Sequence, residues 1–121
     1  MKIYLQTQGF ELTAAISKHV RSQLGRDLAG SQSNIIAVDV FLFDINGPRG
    51  GTDKKALVVI TLTSQSSAKF EVIHTDLYRA VTIASRKAKH RVKRTLRKQK
   101  RLEKRELRQM HRYSDDLLGS V

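Results

Sequence analysis

The sequence predicts an α+β fold, a two-layer sandwich in the order β-α-β-β-β-α with two helices packed on one face of a four-stranded sheet. Three observations lead there. Four short segments are β-prone, most of them alternating in polarity; one stretch repeats an apolar residue every fourth position; and a longer one carries an apolar stripe opposite a dense band of positive charge. The 121 residues, 40% apolar with a single proline, suit one folded domain with a modest core.

Residues 2–8 open the chain with Ile3, Leu5 and Thr7 on one side and Lys2, Tyr4 and Gln6 on the other, a period of two that predicts a strand ending at Gly9. This opening also lacks the apolar segment of a secretory leader. Leu12, Ile16, Val20 and Leu24 then mark one face of a helix, with Thr13 as its N-cap and Lys18 and Arg21 on the outside. Ala29 to Asn34 reads as a loop. Ile35 to Phe43 is a second strand, residues 46–53 a glycine-rich connection, Ala56 to Thr63 a third strand, Ser64 to Ser67 a tight turn, and Ala68 to Ile73 a fourth strand. The last three make an antiparallel meander. Asp76 is the expected N-cap of the second helix. On a wheel of about 100° per residue, Val81, Ala84, Ala88, Val92 and Thr95 fall within about 60° of Leu77. Arg86, Lys93, Arg97, Lys100 and Lys104 gather at the opposite pole. A helix from Asp76 to Met110 would be roughly 50 Å long, against about 20 Å for a six-residue strand. Its far half must therefore project or fray. The expected division is one domain over 1–112 and a disordered tail over 113–121.

Charge carries the functional argument. Arg86 to Arg112 holds fourteen basic residues against Glu103 and Glu106, the whole +12 of the chain, so the remainder is neutral. Two acids cannot balance fourteen bases through ion pairs along a helix. A cationic face so concentrated calls for a polyanion, and nucleic acid is the expected partner. No aromatic residue interleaves with the charges between Arg86 and Arg112, which argues for structured RNA read through backbone and shape rather than for stacking on splayed bases. Lys18, Arg21 and Arg26 could line a groove shared with that face.

Other constellations carry less. The glycines between Asn46 and Lys55 lack the Gly-Lys-Ser/Thr ending and the following helix of a phosphate-binding loop. They read as a hairpin connection, with Arg49, Lys54 and Lys55 as auxiliary RNA contacts at most. His19, His74, His90 and His111 show no metal-ligand spacing, and no nucleophile motif occurs. The expectation is no catalysis, no metal, no cofactor and no small-molecule substrate. With no cysteine and no apolar run of spanning length, a cytoplasmic protein with no membrane association is expected. Phe41 and Phe43 share a parity with Asp39, while Val38, Val40 and Leu42 form the other set. One set must face away from the helices, where an apolar patch could support weak self-association.

Two motifs carry a resemblance. Glu11-Leu12-Thr13-Ala14-Ala15-Ile16, continued by His19-Val20 and Leu24, and Asp76-Leu77-Tyr78-Arg79-Ala80-Val81 open the two helices. They resemble the Glu-Ile/Val-Thr-x-Ala-Ile/Leu and Asp-Met-Tyr-x-Ala-Ile segments of the ribosome hibernation-promoting factors and ribosome-associated inhibitors, also called ribosomal subunit interface proteins. The resemblance covers about residues 1–100. It implies a domain similar to the double-stranded-RNA-binding fold. Such a domain sits in the small subunit's decoding channel, touches ribosomal RNA with both helices and idles ribosomes under stress and in stationary phase. By position it carries RNA contact to Arg26, Lys87, Arg94 and Lys98. The family has basic residues where this chain has Ser17, Gln23 and His90. No second dimerisation domain of the long-form type is expected.

Together these readings predict an RNA-binding set of Arg26, Arg86, Lys87, Arg91, Lys93, Arg94, Arg97, Lys98 and Arg101, acting on the small ribosomal subunit. The alternative is a general structured-RNA or nucleic-acid-binding module not tied to the ribosome. Lys87 to Arg101 should set where the chain binds, and the bases beyond should mainly add salt-sensitive affinity.

Overall fold

A computed structural model of the chain describes residues 1–45 and 54–119, the side chains of 112–119 excepted. Strand β1 (Lys2–Gln8) leads to helix α1 (Ala14–Asp27), a 3-10 turn (Ala29–Asn34) and the strands β2 (Ile35–Asp44), β3 (Lys54–Leu62) and β4 (Ser67–His74). Helix α2 (Leu77–Gly119) completes the described order. The sheet runs β1-β2-β3-β4, with β1 parallel to β2 and the other neighbours antiparallel. The parallel pair is joined through α1, because parallel neighbours need a crossover of about a dozen residues. The two-layer α+β architecture is therefore the one the sequence predicts.

Local chemistry sets the ends of the elements. Thr13 caps α1, its hydroxyl accepting from the Ile16 amide at 3.2 Å. Asp76 does the same for α2, its Oδ1 accepting from the Tyr78 amide at 3.0 Å. His74, directly before that cap, accepts the Asp76 amide on Nδ1 at 3.0 Å. Gly9 ends β1 at φ +91°, where a Cβ would stand 2.8 Å from the Asp44 carbonyl oxygen; only glycine fits.

The core lies between helices and sheet. Ile16, Val20 and Leu24 of α1 and Val81, Ala84, Ala88 and Val92 of α2 bury against Val38, Val40, Leu42, Val58 and Ile60. Each fully buried aliphatic side chain of this size stabilises by roughly 1.5–3 kcal/mol before chain entropy is charged against it. Alanines at 80, 84 and 88, all at most 3% exposed, let the backbone of α2 approach the sheet closely. Pairing settles the parity of β2: Val38, Val40 and Leu42 point to the helices. Phe41 and Phe43, half-buried, lie on the open face beside Leu57 and Lys55. Charged groups interrupt that face, since Lys55 pairs with Glu71 at 2.9 Å and its ammonium lies 5.5 Å from the Phe43 ring centre.

Several expectations change. Leu12 is 44% exposed and lies outside the buried stripe, because the Thr13 cap starts α1 only at Ala14. The segment 29–34 is a 3-10 turn that buries Ser31 rather than an open loop. A register shift between Ile35 and Ala37 lets Ile35 bury together with the opposite-parity Val38 and leaves Ile36 exposed. Helix α2 continues past Met110 to Gly119, overlapping the segment read as a tail. No glycine or proline interrupts 77–118, and arginine, lysine, leucine and glutamate are good helix formers. The connection 46–53, with Arg49, lies outside the described residues.

Candidate nucleic-acid interface

The cationic surface begins with the way α1 holds α2. Three residues one turn apart on α1 meet α2 through a polar seam. His19 Nε2 lies 3.1 Å from the Tyr78 carbonyl oxygen, with the two rings edge to face at 5.0 Å. Gln23 donates to the Thr82 hydroxyl at 3.2 Å. The buried Ser85 hydroxyl donates to the Asp27 carboxylate at 2.6 Å. This seam, with the apolar stripe beneath it, fixes the rotation of α2 about its axis, so the basic arc is aimed outward.

Arg86, Lys87, Arg91, Lys93, Arg94, Arg97, Lys98 and Arg101 are all exposed on α2. Lys87, Arg91, Arg94, Lys98 and Arg101 follow one another in steps of three and four residues, so they form a single row. Like charges at that spacing repel, by a few tenths of a kcal/mol per pair in an isolated helix. Among the described residues no α2 cation lies in an ion pair; the carboxylates of Asp44 and Glu71 are engaged by Lys54 and Lys55 instead. The row thus keeps its charge for a partner. Arg26 is exposed in the last turn of α1, next to Asp27, and so stands at the end of α1 bonded to Ser85, where the charged run begins.

Not every predicted contact joins this surface. Arg21 turns the other way: its guanidinium donates to the Ile3 carbonyl at 3.2 Å and to the Ser17 hydroxyl at 3.4 Å, on the β1 side of α1. Lys54 and Lys55 are held by acids across the strands, at 3.0 and 2.9 Å. On the β4 side, Phe70, Lys87, His90, Arg91 and Arg94 line a shallow groove between helix and sheet edge, which His90, Arg94, Arg97 and Arg101 continue along α2. Arg91 donates to the Lys69 carbonyl at 3.3 Å, closing part of the unpaired edge of β4. Sequence reasoning missed Phe70, because it lies outside the charged run and enters the groove only through strand pairing. Further along, Gln99 donates to Ser64 Oγ at 2.6 Å and Ser66 Oγ at 3.1 Å, tying α2 to the β3–β4 turn. Beyond Gln99 every described side chain through His111 is exposed. Among the described residues no cluster of potential metal ligands occurs, and no helix is long and apolar enough to cross a membrane.

A four-stranded mixed sheet with a cationic helix laid on it defines the class: an α+β domain of the S30AE ribosomal fold. Residues 3–100 match the family model described as sigma 54 modulation protein / S30EA ribosomal protein, and the chain belongs to that family. This agrees with the resemblance carried by the two helix-opening motifs. The chain is similar to the N-terminal domain of Protein Y from Thermus thermophilus, at 25% identity and a TM-score of 0.65, over 78% of this chain and 99% of that one. It also shares its fold with a ribosomal subunit interface protein from Coxiella burnetii, at 16% identity and a TM-score of 0.67, over 78% and 97%. No curated protein matches.

Proposed function

We propose that the chain is a cytoplasmic translation inhibitor and hibernation factor that occupies the decoding channel of the small ribosomal subunit. Arg26 and the exposed bases from Arg86 to Arg101 contact ribosomal RNA there and exclude the ligands of a working ribosome. Membership of the S30EA family and likeness to the Protein Y domain support the ribosome as target. The observation that carries the RNA interface is the row of exposed cations on α2, outside any ion pair among the described residues and held in one direction by the buried face that adjoins it.

Co-sedimentation with ribosomes across a salt series tests the reading. Binding should fall steeply, by orders of magnitude between about 50 and 200 mM salt if six or more phosphates are neutralised. Replacing Arg94, Arg97, Lys98 and Arg101 by glutamate should abolish it. Normal sedimentation of that quadruple variant would show the interface to be elsewhere. A general structured-RNA module is the second reading, favoured by the same cations, which read backbone and not sequence. Filter binding of ribosomes, duplex RNA and duplex DNA at one salt concentration separates the two. Affinity for ribosomes within a few fold of that for duplex RNA would favour the general module.

A further inference from the structure

We infer that the groove between α2 and β4 takes one unstacked nucleotide of the bound RNA, its phosphate on Lys87, Arg91 and Arg94 and its base against Phe70 and His90. This rests on the RNA reading above and deepens it. The charged run by itself has no phenylalanine, tyrosine or tryptophan, which is why backbone contact alone is expected of it. Folding changes that, because β4 is the outer strand and brings Phe70 under the cations of α2. Phe70 is only partly buried, so part of an apolar ring is open to the groove. Among the described residues no cation caps that ring, and the cation–π contact there is Lys55 over Phe43. An available aromatic surface ringed by phosphate-binding side chains is the combination that holds an extruded base, since stacking supplies affinity wherever a base has left its helix. His90, exposed on the same groove, offers a second π-face. Arg91, hydrogen-bonded to the Lys69 carbonyl, has part of its guanidinium held at the strand edge before RNA arrives.

The test compares two RNA hairpins that differ only by a single-nucleotide bulge, at one salt concentration. The intact protein should bind the bulged hairpin roughly tenfold more tightly. Phe70→Leu should bring that ratio to near one and leave the fully paired hairpin unaffected. His90→Ala, at an exposed position, should lower the ratio by about threefold and serves if Phe70→Leu folds poorly. A 4-thiouridine at the bulge should photo-crosslink to the peptides carrying Phe70 or His90. Equal binding of the two hairpins by the intact protein, or an equal loss for both in the Phe70 variant, would overturn the inference and leave the RNA interface standing. Binding to neither hairpin nor ribosomes would remove the RNA reading and this one together. Free AMP bound as tightly as the bulged hairpin would assign the groove to a soluble nucleotide and overturn the RNA-borne occupant.

Discussion

Helix α2 contains two stretches of similar charge in different surroundings. Arg86 to Gln99 carries eight bases and no acid; Lys100 to Arg112 carries six bases with Glu103 and Glu106, so both are strongly cationic. The first stretch buries Ala88 and Val92 against the sheet and ends on the two hydrogen bonds of Gln99. In the second, Leu102, Leu107 and Met110 are 48%, 55% and 65% exposed, so nothing apolar anchors it. Charge density therefore does not distinguish the two stretches; packing does. A cation on the packed stretch meets a partner at a position fixed against the sheet, whereas one on the projecting stretch is positioned by the helix alone.

Equal removal of charge should expose the difference most sharply. Changing Lys87, Arg91, Arg94 and Lys98 to glutamine should weaken ribosome binding by at least a hundredfold. The same change at Lys100, Lys104, Arg105 and Arg108 should cost tenfold or less and mainly flatten the salt dependence. Equal losses in sedimentation would mean that α2 acts as a uniform polyanion-binding rod. Next in size is a stability contrast: Val92→Ala should lower the unfolding free energy by roughly 1.5–3 kcal/mol, and Leu107→Ala should stay within about 0.5 kcal/mol of the parent. Urea denaturation measures both, and a comparable loss at Leu107 would mean the projecting half packs on something. Smallest is the boundary itself. Gln99→Ala removes two side-chain hydrogen bonds, worth about 1 kcal/mol between them. Amide exchange should quicken around residues 95–102 and stay unchanged near Val81; uniform protection would show that the helix needs no tether there.

Much of this was legible in the residues. Both N-caps, Thr13 and Asp76, were readable because capping depends on neighbours three positions away at most. The buried stripe from Val81 to Val92 and the basic face opposite it follow from helical period alone. The length of α2 was less legible: the helix runs to Gly119, past the Met110 of the sequence reading, because no glycine or proline interrupts 77–118. Leu12 was misassigned because periodicity does not distinguish a first helical residue from one just ahead of the cap.

The order of residues alone fixes that one face of a long helix is buried and the other cationic, since polarity repeated along a single helix is a local property. It also determined the domain class and, over residues 3–100, the match to the S30EA family model. Strand pairing and packing set the rest: Val38, Val40 and Leu42 face the helices, Arg21 turns toward β1, and Phe70 joins the cations of α2. Each of these depends on which strand pairs with which and on the angle at which a helix lies across them. Such choices follow from packing between residues distant in the chain, which no local repeat records.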